Sequence, residues 1–196
     1  MSLDQNEEIF FMYDPSHLIK SFRNILMDHK ITLQNGCKVS KKDFYDLLHV
    51  TKGELSIGYF LSEELLEVRS SDRQQVRFAI QLISDRVVAL FRKFFPSCPA
   101  KLALADLIDN VAKSYKIFSS RVIFHKKDKL RSAFGVYLTE QKETLQLLIE
   151  NMTHTQFGQN RFSKGFIISA KSIIALHDDL SKDSLIMQYS FDQKHP

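Results

Sequence analysis

Residues 73–95 set the condition that the rest of the fold must meet. Val76, Phe78, Ala79, Ile80, Leu82, Ile83, Val87, Val88, Leu90 and Phe91 recur at helical spacing, yet they cover much of the girth and not a single stripe. A helix of that kind cannot lie on a surface, so other helices must close around it. Pro96 and Pro99 are expected to end it. The partners are present in the same chain. Leu18, Ile19, Phe22, Ile25 and Leu26 predict a helix over 16–30, and Ser40 caps another carrying Phe44, Leu47 and Leu48. A brief helix begins near Ser62. Leu104, Leu107, Ile108, Val111, Tyr115 and Phe118 mark an amphipathic helix over 101–118, and two more are expected over 139–151 and 166–180.

Strand signals are confined to the ends. Residues 9–13 form a short apolar run that reads as a buried strand, and Leu185-Ile186-Met187-Gln188-Tyr189 reads as a closing one. Asn35-Gly36 is a strong hairpin signal, but its flanks look too short to make a sheet. The fold class expected is therefore mainly α, a helical body with a short strand at either end. With 196 residues, 44% of them apolar and 26% charged, the chain suits one good-sized globular domain. The sixteen phenylalanines, with no tryptophan, predict a core built from Phe, Leu and Ile.

Several function classes find no support. The seven histidines are scattered singly, and there is no Walker loop, GxGxxG or GxSxG. Cys37 and Cys98 match no zinc spacing and read as reduced thiols of an intracellular protein. No apolar run reaches membrane-spanning length, so no membrane partner is expected, and the acidic start (Asp4, Glu7, Glu8) is not a signal peptide. The net charge of +4 is compatible with a phosphate-bearing partner without requiring one. His177-Asp178-Asp179 holds ligand-type residues, but adjacent members diverge on a helix, so it reads as a charged helix end.

Two features carry candidate chemistry. Asp14 stands where the apolar run 9–13 meets a helix. That is a place for a hard carboxylate ligand to a divalent metal, and equally for a helix N-cap followed by Pro15 at the first helical position. Lys126, Lys127, Lys129 and Arg131 form the one dense basic cluster, either a solvated loop or a sequence-neutral contact to a nucleic-acid backbone.

Four stretches, in order, resemble the P element transposases and their THAP-associated relatives. Residues 11–24, with Asp14-Pro15, His17-Leu18-Ile19-Lys20 and Arg23-Asn24, are similar to the family's F-D-x-P-H-L-I-K-x-x-R-N segment. Residues 73–84 resemble K-M-x-V-K-L-A-A-Q-V-L-S. Residues 108–121 resemble the helix ending in F-D-I-F-N-S-R, and 162–169, with Gly165, resemble F-x-x-G-L-L-I-S.

The resemblance implies a helical GTP-binding insertion that interrupts an RNase H-like catalytic domain. It divides the chain into a remnant strand at 1–15, the insertion at 16–160 and the start of a C-terminal RNase H-like segment at 161–196. It makes Asp14 a catalytic acid and Mg²⁺ ligand. The family's first acid belongs to an earlier strand, and its last follows N-Q-D-x-x-E. Against that motif Gln193 matches and Lys194 replaces the aspartate. One acid of three cannot organise two metal ions, so this chain is expected to be catalytically incomplete alone. For GTP, the resemblance assigns Arg73 to a phosphate, with Arg77 one turn on. Tyr115 takes the place of the ring that stacks on guanine, and Lys116 that of the carboxylate reading its edge. A lysine offers only donors there, so guanine specificity is expected to be lost. Tyr115 is equally a core aromatic and Arg73 a surface charge. The expected setting is DNA transposition in the nucleus, with DNA, a second copy or an intact transposase as partner. The alternative is a helical protein-interaction module that binds neither nucleotide nor DNA.

Overall fold

The structure, a computed structural model, describes residues 9–52, 58–67, 72–157 and 162–182. It is mainly helical. Helix α1 (Pro15–Asp28) starts at Asp14, whose carboxylate accepts a hydrogen bond from the Ser16 amide, with Pro15 in the first turn. After it, β1 (Ile31–Thr32) and β2 (Lys38–Val39) pair antiparallel, Ile31 opposite Val39. Gly36 has φ 79°, the left-handed conformation this turn requires. The two-residue ladder forms despite its short flanks because Ile31 and Val39 are both buried. Thr32 also exchanges backbone hydrogen bonds with Gln156.

Helix α2 (Lys41–Thr51) opens with a capping box in which Ser40 and Asp43 bond reciprocally. Then come α3 (Glu63–Leu66) and a 3-10 turn over Asp72–Gln74. The single helix expected over 73–95 is instead two, α4 (Val76–Leu82) and α5 (Asp85–Phe94). The break falls at Ile83 and Ser84, where Ser84 is extended (φ −142°, ψ 155°) and Asp85 opens the new helix. The physical reason lies in the girth of the apolar pattern. Turning at Ser84 lets α4 pack on α1 while α5 packs on α2 and α6. Leu82, Ile83, Val87 and Val88 thereby all become buried, which one straight rod would not allow.

Pro99 does not close that segment but begins the next, at the first turn of α6 (Pro99–Phe118). Helix α6 is the central element, in contact with α1, α5 and α7. A looped connection, 119–137, holds a 3-10 turn over Lys129–Arg131 and leads to α7 (Leu138–His154), and α8 (Phe162–Lys182) packs on α7 and α1. Helix α7 opens at Tyr137 with no side-chain cap on its first-turn amides, and Gln141 Oε1 reaches back to accept from the Gly135 and Tyr137 amides just ahead of it. Asn110, buried on α6, donates to the Thr144 carbonyl at 3.0 Å and accepts from Asn151 at 3.0 Å, tying α6 to α7.

The expected strand at 9–13 does not form. The segment is extended but runs along α8, where Phe11 and Tyr13 donate their amides to the Ser172 and Ser169 hydroxyls at 3.2 and 2.9 Å. Among the described residues it has no strand to pair with, so helix side chains take its hydrogen bonds. Gly165 lets α8 come close to α1, since a Cβ there would stand 2.8 Å from Leu18 Cδ2, while the Tyr13 ring at 3.5 Å would be in ordinary contact. The expected strand over 185–189 lies outside the described residues, as does the C-terminal stretch with Gln193 and Lys194. No helix among the described residues is long and apolar enough to cross a membrane.

The core converges on Phe22. Its ring meets Phe157, Phe162 and Phe166 at 6.3, 6.2 and 6.4 Å between centroids, and Phe166 also meets Phe118. One fully buried ring on α1 thus contacts the segment after α7 and both α8 aromatics. Phe22→Ala is expected to cost about 3–5 kcal/mol of unfolding free energy in a urea titration. A loss under about 1 kcal/mol would mean that the cluster does not organise the core.

Candidate functional site

The end of α4, the start of α5, the end of α6 and the connection after it meet at one cleft of about 430 Å³. Tyr115 and Lys116 line it, together with Arg121 and Arg131, the end of α4 (Ile80) and the start of α5 (Asp85). Tyr115, half-buried, lies against Ser16. Burial pushes its phenol above the ordinary range, the Ser16 contact opposes this, and the nearby Asp14 charge adds to it while Arg121 and Arg131 pull the other way. Asp14, Tyr115 and Arg131 therefore share one electrostatic neighbourhood, although they are far apart in sequence.

Lys116 is fully engaged. Its ammonium sits 2.9 Å from Asp85 Oδ2 and 3.2 Å from Asp128 Oδ2. Burial alone would lower its pKa, but the hydrogen bonds and charge of Asp85 and Asp128 win and raise it. Lys116 thus ties α5 and the 119–137 connection to the end of α6. Sequence reasoning missed both carboxylates; the one available signal was Ser84-Asp85, a helix-start pair inside an otherwise periodic run.

Arg73 and Arg77 do not line this cleft. Arg73 pairs with Asp28 at the far end of α1, which at the helical rise per residue is roughly 18 Å from Ser16. It stands beside Arg23, whose guanidinium is lowered by burial and then by the Arg73 charge. Arg23 donates to the Leu65 carbonyl, binding α3 to α1. Arg77 covers the Phe78 ring, 4.7 Å from its centroid. The structure therefore unites Tyr115 and Lys116 and leaves the two candidate phosphate ligands elsewhere.

Where the resemblance expects a carboxylate to read a guanine edge, the cleft holds Lys116, a donor already paired with Asp85 and Asp128. Asp14 Oδ1 accepts from the Ser16 amide as the α1 cap, and among the described residues no group of three His, Cys, Asp or Glu side chains could hold a metal ion. Of His177, Asp178 and Asp179, the first two do not diverge as expected, His177 Nδ1 lying 3.7 Å from Asp178 Oδ1, whereas Asp179 turns to another partner. His177 is buried against the Phe134 ring, Asp178 meets Lys142 at 3.2 Å and Asp179 meets Lys182. Cys37 and Cys98 are both free.

Lys126, Lys127, Lys129 and Arg131 are all exposed on the 119–137 connection. The connection itself is well held. Ser120 donates to the Arg131 carbonyl, Ala133 donates to the Val122 carbonyl and His125 donates its amide to Ser132 Oγ at 3.0 Å. Lys129 lies over Tyr137, and Arg131 is 3.7 Å from Asp128.

Two measurements probe these assignments. Asp14→Ala should lower stability by about 1 kcal/mol in chemical denaturation, whereas Asp14→Asn, an equally good cap, should change it little. Lys116→Met should lower stability by about 1 kcal/mol at neutral pH, a modest amount because Asp85 is largely exposed. Since the folded pKa of Lys116 is raised above 10.5, its contribution is complete below that pH and is lost as pH rises through the higher folded value. The gap between the two proteins should therefore close only in strong alkali.

No family model matches the chain. It is 28% identical over 193 residues to the Drosophila melanogaster protein described as "Transposable element P transposase", covering 95% of this chain and 25% of that protein. Its structure is similar to a chain of a solved "Drosophila P element transposase strand transfer complex", with a TM-score of 0.84 and 28% identity. That similarity covers 94% of this chain and 43% of the other. The chain thus spans about a quarter of the length of the curated relative.

Proposed function

Because this chain is homologous to the Drosophila P element transposase, we propose that it serves DNA transposition as a helical, DNA-contacting part without strand-cleaving chemistry of its own. The observation that carries this reading is the basic cluster Lys126, Lys127, Lys129 and Arg131, exposed on a connection braced by hydrogen bonds to the body. Cations on a held surface neutralise backbone phosphates without reading sequence. Asp14 matches a catalytic acid by position but works here as a helix cap. A metal-assisted step would need further acids from another chain or from segments outside this one. The cleft beside Tyr115 is proposed to have no guanine preference, since Lys116 is committed to Asp85 and Asp128. A nuclear location follows from a role on genomic DNA.

The N-terminal segment supports the view of this body as an insertion beside an RNase H-like sheet. Ile9, Phe11 and Tyr13 are 82%, 66% and 45% exposed at alternate positions of an extended backbone. That is the pattern of a strand whose apolar face awaits a sheet. The same observation favours the second reading, a module that docks on a partner protein, either an intact transposase or a second copy.

Binding to duplex DNA should separate the two. In fluorescence anisotropy the log of the association constant should fall with log salt at a slope of about −3 to −4, as four phosphate contacts require. Replacing Lys126 and Lys127 by alanine should reduce that slope by about 2. Absence of duplex binding at low salt would remove the DNA reading and leave the interaction module.

A further inference from the structure

Just ahead of the basic cluster the 119–137 connection carries side chains that its role as a linker does not explain. Val122, Ile123 and Phe124 are consecutive, and they are 44%, 56% and 65% exposed. The backbone beneath them is fixed. Val122 makes a parallel bridge with Ser132, and the Ala133 amide is shared between the Val122 and Ile123 carbonyls at 2.9 and 3.1 Å. His125 donates its amide to Ser132 Oγ, and its Nδ1 accepts from the Asp128 amide. The Lys116–Asp128 pair then anchors the whole turn to α6. A loop fixed in this way holds the Phe124 ring out in solvent. Lys126 and Lys127 follow within three residues, and neither meets a carboxylate among the described residues.

We infer that residues 122–131 form a contact for single-stranded DNA, in which Phe124 stacks on an unpaired base while Lys126 and Lys127 hold the neighbouring phosphates. The inference rests on the DNA contact proposed above and specifies the state of the DNA. In a duplex both faces of each base are covered by its neighbours, so an exposed ring gains nothing from them. An unpaired base offers its face, and an aromatic beside cations is the arrangement that holds single strands regardless of sequence. Charge decides the class of occupant: exposed Lys126, Lys127, Lys129 and Arg131 follow the apolar residues on the same connection, and the one carboxylate among them, Asp128, is shared between Lys116 and Arg131. A polyanion with flat apolar faces complements that surface.

The test uses the whole chain with a labelled twenty-residue oligothymidine and a duplex of equal length, at the same low salt. Phe124→Ala should weaken oligothymidine binding roughly tenfold and leave duplex binding within about twofold. Phe124→Leu, which keeps an apolar side chain, should behave like the alanine variant, and Phe124→Trp should restore binding. Replacing both Lys126 and Lys127 should weaken both ligands. Duplex binding that persists with oligothymidine indifferent to Phe124 would overturn this inference alone; loss of salt-dependent binding to both would overturn the proposed function with it. Binding of phosphatidylserine vesicles through Phe124, with no DNA affected by that residue, would overturn it in favour of a membrane surface.

Discussion

The ring of Phe22 holds the molecule together where the first and last helices, α1 and α8, meet. It is fully buried on the first helix, and around it stand Phe157, Phe162 and Phe166, supplied from more than a hundred residues away. Edge-to-face packing among such rings adds specificity of orientation to the gain from burial. Because Phe166 also meets Phe118, the cluster fixes α8 against both α1 and the end of α6. That in turn sets the end of α6, with Tyr115 and Lys116, beside the start of α1, where Tyr115 meets Ser16.

Within the cleft, residue 116 stands where the family resemblance expects a carboxylate. The lysine instead recruits Asp85 and Asp128 and becomes a brace between α5, α6 and the following connection. Lys126, Lys127, Lys129 and Arg131 of that connection remain exposed, and Arg131 also lines the cleft. The ion pairs of Lys116 thus stiffen the connection that carries the basic cluster.

The helical architecture was legible because it depends on local pattern. Ser40 with Asp43, Asp14 with Pro15, and the spacing of the leucines and phenylalanines each act within a few residues. Failures came where distant partners decide. The segment 9–13 has strand-like composition, but its amides meet Ser169 and Ser172, and nothing local announces a helix as the acceptor. Residues 73–95 look continuous because periodicity cannot show that two different neighbours will claim its two halves. Pro99 reads as a stop or a start with equal ease, and only the direction of α6 separates them. At the site, Tyr115 and Lys116 were named from their match to the family's motif, while their partners Ser16, Asp85 and Asp128 were not, since contacts across the fold leave no mark in spacing.

What the sequence alone determined is that apolar residues at helical intervals must bury, that helices must therefore surround one another, and that a lysine at 116 has no acceptor to offer a base. Only the tertiary structure decided which carboxylates that lysine would meet, that Arg73 would spend its charge on Asp28 at the opposite end of α1, and that Phe124 would stand in water on a fixed turn. The division follows from range. Periodicity and capping act over one or two helical turns and are written in neighbouring residues. Ion pairs and exposure depend on which surfaces come together, and that is settled only when the whole core packs.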